Sequence, residues 1–265
     1  MIRPGAIGDC LLALPAMEAL RTDYTAVWTA SQNVPLIRFA DRARSIASTG
    51  LDMLGVATHE LCELAGFDSI VSWYGTNRPE FRAAVEGLPF RFLPALPDAG
   101  SKIHAADFFL RQAGGGAEPA IPRLDCPRIR GEYLAVHPFS GGARKNWPLD
   151  RFRELALRLG GPVRWYAGPD DPPLPEAERC DELYELACRL AGARLYIGND
   201  SGITHLAAAA GAPVLALFGP TDPAVWAPRG ERVRVLATPH PGEPIENLSI
   251  EEALAAAEDI PGAAV

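Results

Sequence analysis

Several features that would settle the class of this chain at once are missing. No run of 18 apolar residues occurs among its 265, so no segment is suited to cross a bilayer as a helix. The opening Met1-Ile-Arg-Pro-Gly5 lacks the basic and apolar regions of a signal peptide, and a cytoplasmic location is expected. Five cysteines, an odd count, contain no C-x-x-C pair, which speaks against a disulfide framework or a structural zinc site and suits a reducing compartment. Positive charge is in deficit. The 25 Lys and Arg against 33 Asp and Glu leave −8, which argues against nucleic acid as a partner and allows at most peripheral membrane contact. No Walker A loop, G-x-S-x-G, H-E-x-x-H or G-x-G-x-x-G is present. Metal-ligand residues do not cluster, so neither a metal nor a cofactor is expected.

Apolar residues, by contrast, make up 48% of the chain, enough for a real core. Strand-like runs at 1–3, 26–28, 69–71, 133–136, 163–167, 194–197 and 214–218 alternate with helical spacing at 7–20, 105–112, 152–159, 183–190 and 202–210. Such alternation implies parallel sheets with right-handed crossovers. Pro15 falls inside the first helical pattern and predicts a kink. The stretch 41–66 is ambiguous. Ala113 to Pro122 is rich in glycine and proline and reads as a junction, dividing the chain into lobes at 1–125 and 126–265. Ser249-Ile-Glu-Glu252 is a capping box that opens a last helix over 249–258. That helix belongs with the second lobe or packs back on the first.

In open parallel sheets ligands sit at the carboxyl ends of strands, and four such loops carry unusual residues. Arg3-Pro-Gly-Ala-Ile-Gly-Asp9 places Asp9 in the first turn of a helix, either as a plain cap or as a general base for an acceptor hydroxyl. His137 to Pro148 runs through Ser140, Gly141 and Gly142 to Arg144 and Lys145. The loop is either a solvated basic surface turn or a diphosphate site in which Lys145 neutralises a departing nucleotide diphosphate. Ile197 to His205 holds Asn199, Asp200, Ser201 and Gly202 at the start of an alanine-rich helix. Amides at Ser201, Gly202 and Ile203 would face a phosphate, Asp200 a ribose hydroxyl or an amide, and His205 the phosphate or the sugar. Ordinary capping by Asn199 or Asp200 is the alternative. In Ala167-Gly-Pro-Asp-Asp171, Asp170 could accept from a ribose, although a solvated turn is the simpler reading.

Together these loops resemble glycosyltransferase family 9, the ADP-heptose:lipopolysaccharide heptosyltransferases. The resemblance rests on Arg3 to Asp9, Lys-x-Trp-Pro at 145–148, Gly-Asn-Asp-Ser-Gly-x-x-His at 198–205 and Leu-Phe-Gly-Pro-Thr-Asp-Pro at 217–223. It is dense over 1–21 and 133–226 and weak over 22–130. It implies an α/β chain of GT-B architecture, two Rossmann-like lobes with parallel sheets and an interlobe cleft. It also implies inverting, metal-independent transfer of a sugar from an ADP-sugar, itself the donor substrate, to a glycan or lipid-linked acceptor. Carried over, Asp9 is the base and Lys145 the lysine at the donor phosphates. Ser140 is the hydroxyl of the same loop, and Asp200, Ser201, Gly202 and His205 form the donor turn. Asp170 stands for an acid that meets the ribose. The first lobe is short for the family, which keeps open a non-catalytic nucleotide-sugar binding protein. A nucleotide-sugar epimerase of related fold is the other alternative.

Overall fold

The computed structural model describes residues 1–51, 61–127, 129 and 131–263. They divide into two compact units, one of residues 1–101 and 105–120, the other of 102–104 and 121–265.

The first unit follows the order β1 (Ile2–Arg3), α1 (Ile7–Ala19), β2 (Ala26–Thr29), β3 (Arg42–Ser45), α2 (Leu61–Leu64), β4 (Ile70–Ser72), α3 (Pro79–Ala84), β5 (Phe90–Phe92) and α4 (Ala105–Gln112). Its sheet is ordered β3-β2-β1-β4-β5, with every pair parallel. Chain order reverses beside β1, so the crevice at the carboxyl ends of β1 and β4 is the topological switch point. The short β1 is buried, and α1 above it is apolar on nearly every face. It packs against α4. The helix continues beyond Pro15, whose missing N–H leaves the Leu11 carbonyl without its usual donor. The stretch 41–66 forms β3, a 3-10 turn at Ile46–Thr49 and α2. The rest of it, 52–60, lies outside the described residues.

The second unit runs β6 (Leu134–His137), α5 (Leu149–Leu159), β7 (Val163–Ala167), β8 (Ala177–Arg179), α6 (Leu183–Ala191), β9 (Leu195–Asn199), α7 (Gly202–Ala209), β10 (Val214–Phe218), α8 (Pro223–Trp226), β11 (Val233–Ala237) and α9 (Ile250–Glu258). Its sheet is β11-β10-β9-β6-β7-β8, again wholly parallel. Here the switch point falls between β6 and β9, which pair Val136 with Ile197 and His137 with Gly198. Alternation along β9 sorts its side chains. Leu195 and Ile197 join the core under α5 and α9, while Tyr196 turns to α7, where its hydroxyl meets Thr204 Oγ1 at 3.1 Å. Gly198 shares that face, and a methyl group there would collide with the Tyr196 hydroxyl.

The capping box is formed as expected: the Glu252 amide donates to Ser249 Oγ at 3.2 Å and the Ser249 amide to Glu252 Oε2 at 2.8 Å. The sequence reading left room for α9 to pack back on the first lobe. Its buried face, Ala253, Ala256 and Ala257, instead lies in the core of the second unit with α5. An alanine face lets the helix approach the sheet closely, so that this short amphipathic stripe is used up within its own unit.

Candidate functional site

The second unit gathers the expected donor residues at its switch point. Asn199, the last residue of β9, is fully buried. Its side-chain Oδ1 accepts from the Trp147 amide at 3.1 Å, and its Nδ2 donates to the Pro138 carbonyl at 2.8 Å. One amide thus clamps both ends of the loop that bears Lys145. Trp147 fixes the loop's exit: its ring is buried, stands edge-on to Phe152 and donates from Nε1 to the Leu248 carbonyl at 3.0 Å. So anchored, Lys145 reaches Asp200 Oδ2 with its Nζ at 2.7 Å. The lysine side chain is 36% exposed and the aspartate 8%. The buried carboxylate holds a partly exposed ammonium, which has three donors to offer.

Asp200 was expected to face a ribose hydroxyl or an amide; in the structure its Oδ2 is paired with Lys145. Its own amide donates to the Leu217 carbonyl at 2.9 Å. The helix cap is Ser201, whose Oγ accepts from the Thr204 amide at 3.3 Å. Gly202 and Ile203 occupy the first helical positions, where amides have no intrahelical acceptor, and Gly202 is only half-buried. Together with the positive end of α7 they offer an anion a place beside Lys145.

The other predicted residues divide. Ser140 is spent on its own turn, donating to the Gly142 carbonyl at 3.1 Å. Gly141 has open space where a side chain would stand. His205 is buried, and burial, opposed in part by Asp200, pushes its pKa down to about 4. His104 and Lys145 contribute to that lowering, and a hydrogen bond to the Trp226 backbone works against it. His205 is therefore a neutral imidazole with one hydrogen bond to the Trp226 backbone. Asp170 is exposed. Its neighbour Asp171 is the anchored acid of that loop, taking the Gly168 amide at 2.6 Å and His137 Nε2 at 3.0 Å, both on Oδ2.

In the first unit Asp9 stands in the first turn of α1, whose start at Ala6 has no side-chain cap. Gly5 has φ +142°, a conformation that L side chains rarely adopt, and a Cβ there would press on Asp9 at 3.3 Å. Arg3 is buried with its guanidinium over the Phe109 ring, 4.7 Å from the centroid. Its Nη2 lies 3.9 Å from Asp9 Oδ1. Burial lowers the Arg3 pKa, and Asp9 opposes this. The Asn33 side chain, also buried, donates to the Gly5 carbonyl at 3.0 Å and fixes the turn. Asp9 itself is 31% exposed at the side chain.

Sequence reasoning missed Asn199 as a clamp, the His137–Asp171 pair and the buried Arg3. Only Asn199 left a signal: a side-chain amide ending a buried strand must find partners on both sides. Among the described residues no group of three or more His, Cys, Asp or Glu is placed to hold a metal ion.

Residues 180–252 match the family model of glycosyltransferase family 9 (heptosyltransferase). Lipooligosaccharide heptosyltransferase 2 of Haemophilus influenzae is 31% identical over 114 residues, 36% of this chain and 33% of that one. The resemblance to glycosyltransferase family 9 is borne out. The chain spans about a third of the length of that curated relative. Likeness of fold reaches further than likeness of sequence. The family 9 glycosyl transferase from Veillonella parvula superposes with a TM-score of 0.71 at 17% identity, over 97% of this chain and 95% of that one. Escherichia coli heptosyltransferase WaaC with ADP gives 0.68 at 18% identity, over 98% and 99%. The two parallel sheets are those of the GT-B fold. Glycosyltransferase family 9 is thus matched in sequence over residues 180–252 of the second unit and in fold along nearly the whole chain.

Proposed function

We propose that this chain is an inverting glycosyltransferase that works without a metal. It moves a sugar, with heptose the favoured one, from an ADP-sugar to a glycan or lipopolysaccharide-type acceptor. A cytoplasmic location with at most peripheral membrane contact belongs to the same proposal; among the described residues no helix is long and apolar enough to cross a membrane.

The observation that carries it is the 2.7 Å pairing of Lys145 Nζ with Asp200 Oδ2 beside the first amides of α7. A fixed ammonium and free helix amides at one strand-end crevice suit a pyrophosphate. The solved relative that contains ADP and the curated relatives named as heptosyltransferases support the choice of donor and acceptor. In the proposed step Asp9 takes the proton from an acceptor hydroxyl, whose oxygen forms the new bond to the anomeric carbon. The bond from that carbon to the ADP oxygen breaks, and Lys145 with the α7 amides stabilises the charge gathering on the diphosphate.

The test is a transfer assay with ADP-heptose and a lipopolysaccharide acceptor lacking the added sugar. The proposal expects a glycosylated acceptor of inverted anomeric configuration and one ADP released per sugar transferred. Binding of ADP-heptose without any product would mark a binding protein, and an altered sugar in the absence of acceptor would mark an epimerase.

A further inference from the structure

Arg3 ends β1 at the switch point of the first unit and is 4% exposed. Its carbonyl accepts from Thr29 Oγ1 at 2.7 Å and its guanidinium lies over the Phe109 ring, so backbone and side chain are both fixed. Hydrogen bonds nevertheless serve the cation poorly. Nη1 and Nη2 reach the Pro4 and Asp9 carbonyls only at 3.5 and 3.4 Å. The buried Nε has no hydrogen-bond partner among the described residues. Burying a charge on such terms costs stability, and an apolar side chain would fill the place at less cost. Packing alone gives no reason for a guanidinium here.

The acidic groups whose fields reach it are Asp9 and the Cys10 thiol. Burial pushes the thiol up to about 12, with Thr29 and Arg3 working against the rise, so Cys10 stays neutral. Asp9 is left as the counter-ion. The pair is unequal: the cation is buried and immobile, while the carboxylate is 31% exposed. Nη2 stands 3.9 Å from Oδ1, near enough to attract it and too far for a hydrogen bond. Oδ2 lies over Gly5, 3.3 Å from where a Cβ would stand, and the missing side chain leaves that oxygen room. A long ion pair of this kind orients a carboxylate without occupying the lone pair that must receive a proton.

We propose that Arg3 is a positioning residue for the transfer step: its fixed guanidinium draws Oδ1 of Asp9 toward itself, so that Oδ2, above Gly5, is the oxygen that takes the acceptor's hydroxyl proton. The inference rests on the reading of Asp9 as the base and adds what aims it.

Steady-state transfer kinetics of the whole chain, with a double-mutant cycle between Arg3 and Asp9, test it. Arg3→Met should lower kcat by about 10–100-fold, the scale of a misplaced reacting group, and leave the Kd of ADP within about twofold. Arg3→Lys, which keeps the charge and loses the fork, should restore kcat to within about tenfold of the unaltered protein. In an Asp9→Asn background, where no base remains to be aimed, Arg3→Met should cost less than about twofold. A merely structural role would slow both backgrounds by the same factor. Equal losses in the two backgrounds, or full kcat in Arg3→Met beside a slow Asp9→Asn, would overturn the inference while the base reading stands. If Asp9→Asn keeps its kcat, the base reading falls and takes this inference with it. Should Arg3→Met not fold, the same cycle is run with Arg3→Lys, which should slow the Asp9 protein alone. Failure of both Arg3 variants to fold would assign the residue to stability and overturn the inference.

Discussion

In the first unit a buried strand, β1, turns through Pro4 and Gly5 into a helix whose first turn carries Asp9. In the second, β9 turns through Asp200 and Ser201 into a helix whose first residue is Gly202. The two junctions share a supersecondary plan and end with opposite electrostatic character. At β1–α1 the helix lacks a side-chain cap, and a carboxylate, 31% exposed, stands in the first turn with the buried Arg3 at 3.9 Å. At β9–α7 the serine cap satisfies one amide, the nearby carboxylate is drawn to a lysine at 2.7 Å, and the lysine and the first amides are what remain to meet a ligand. In the proposed reaction the first end would accept a proton and the second would seat an anion. The contrast arises from where the acid stands relative to the cap and from a lysine delivered by another strand's loop.

Removing the anion of the first junction should break the contrast most severely. Asp9→Asn is expected to lower kcat by about 10²–10⁴-fold, the range for loss of a general base, with nucleotide affinity unchanged. Steady-state kinetics beside a direct ADP titration would show it, and an intact kcat would return Asp9 to the status of a helix residue. Next in size comes the clamp that delivers the lysine. Asn199→Ala leaves the Trp147 amide and the Pro138 carbonyl without their buried partner and should cost about 2–4 kcal/mol in urea unfolding, with weaker ADP binding. If stability falls but ADP affinity does not, the loop holds Lys145 without help.

The pH dependence sharpens the second junction alone. The His205 pKa is lowered to about 4 from 6.5, so the unfolded chain takes up the proton more readily than the folded one. Stability from this group is complete above pH 6.5 and declines as pH falls toward 4, a loss of about 2–3 kcal/mol between pH 7 and 4.5. Urea unfolding at those two pH values should show the loss in the unaltered protein and a smaller one in His205→Gln. Parallel losses would mean that His205 is not the group responsible. The smallest effect lies away from both junctions: Ser249→Ala should cost about 1 kcal/mol through the α9 capping box and leave ADP affinity untouched. A change in affinity there would show that the donor residues depend on α9 packing.

Local patterns in the sequence carried much of this. The spacing around Phe152 and Leu155, the run Val214–Phe218 and the Ser249–Glu252 cap each announce their element, because helix, buried strand and capping box depend on residues a few positions apart. The edge strands β3, β5, β8 and β11 were missed. Arg42-Ala-Arg-Ser45 and Ala177-Glu-Arg179 have little apolar content, since an edge strand is paired on one side only. Within the site, Lys145 and Asp200 were each legible, but their pairing was not. Their separation of 55 positions says nothing of distance until β6 and β9 are known to be neighbours. The same holds for His137 and Asp171, which meet because β6 and β7 are neighbours in the sheet.

The most direct measurement is a calorimetric titration of the unaltered protein, Lys145→Ala and Asp9→Asn with ADP. Loss of the ammonium should raise the Kd of ADP by about 10–100-fold, the scale of a charge-assisted contact to phosphate. Asp9→Asn should leave it within about twofold, since the anion seat is assigned to the second unit alone. Equal affinity of the unaltered protein and Lys145→Ala, or an Asp9→Asn defect as large as that of the lysine variant, would contradict the account.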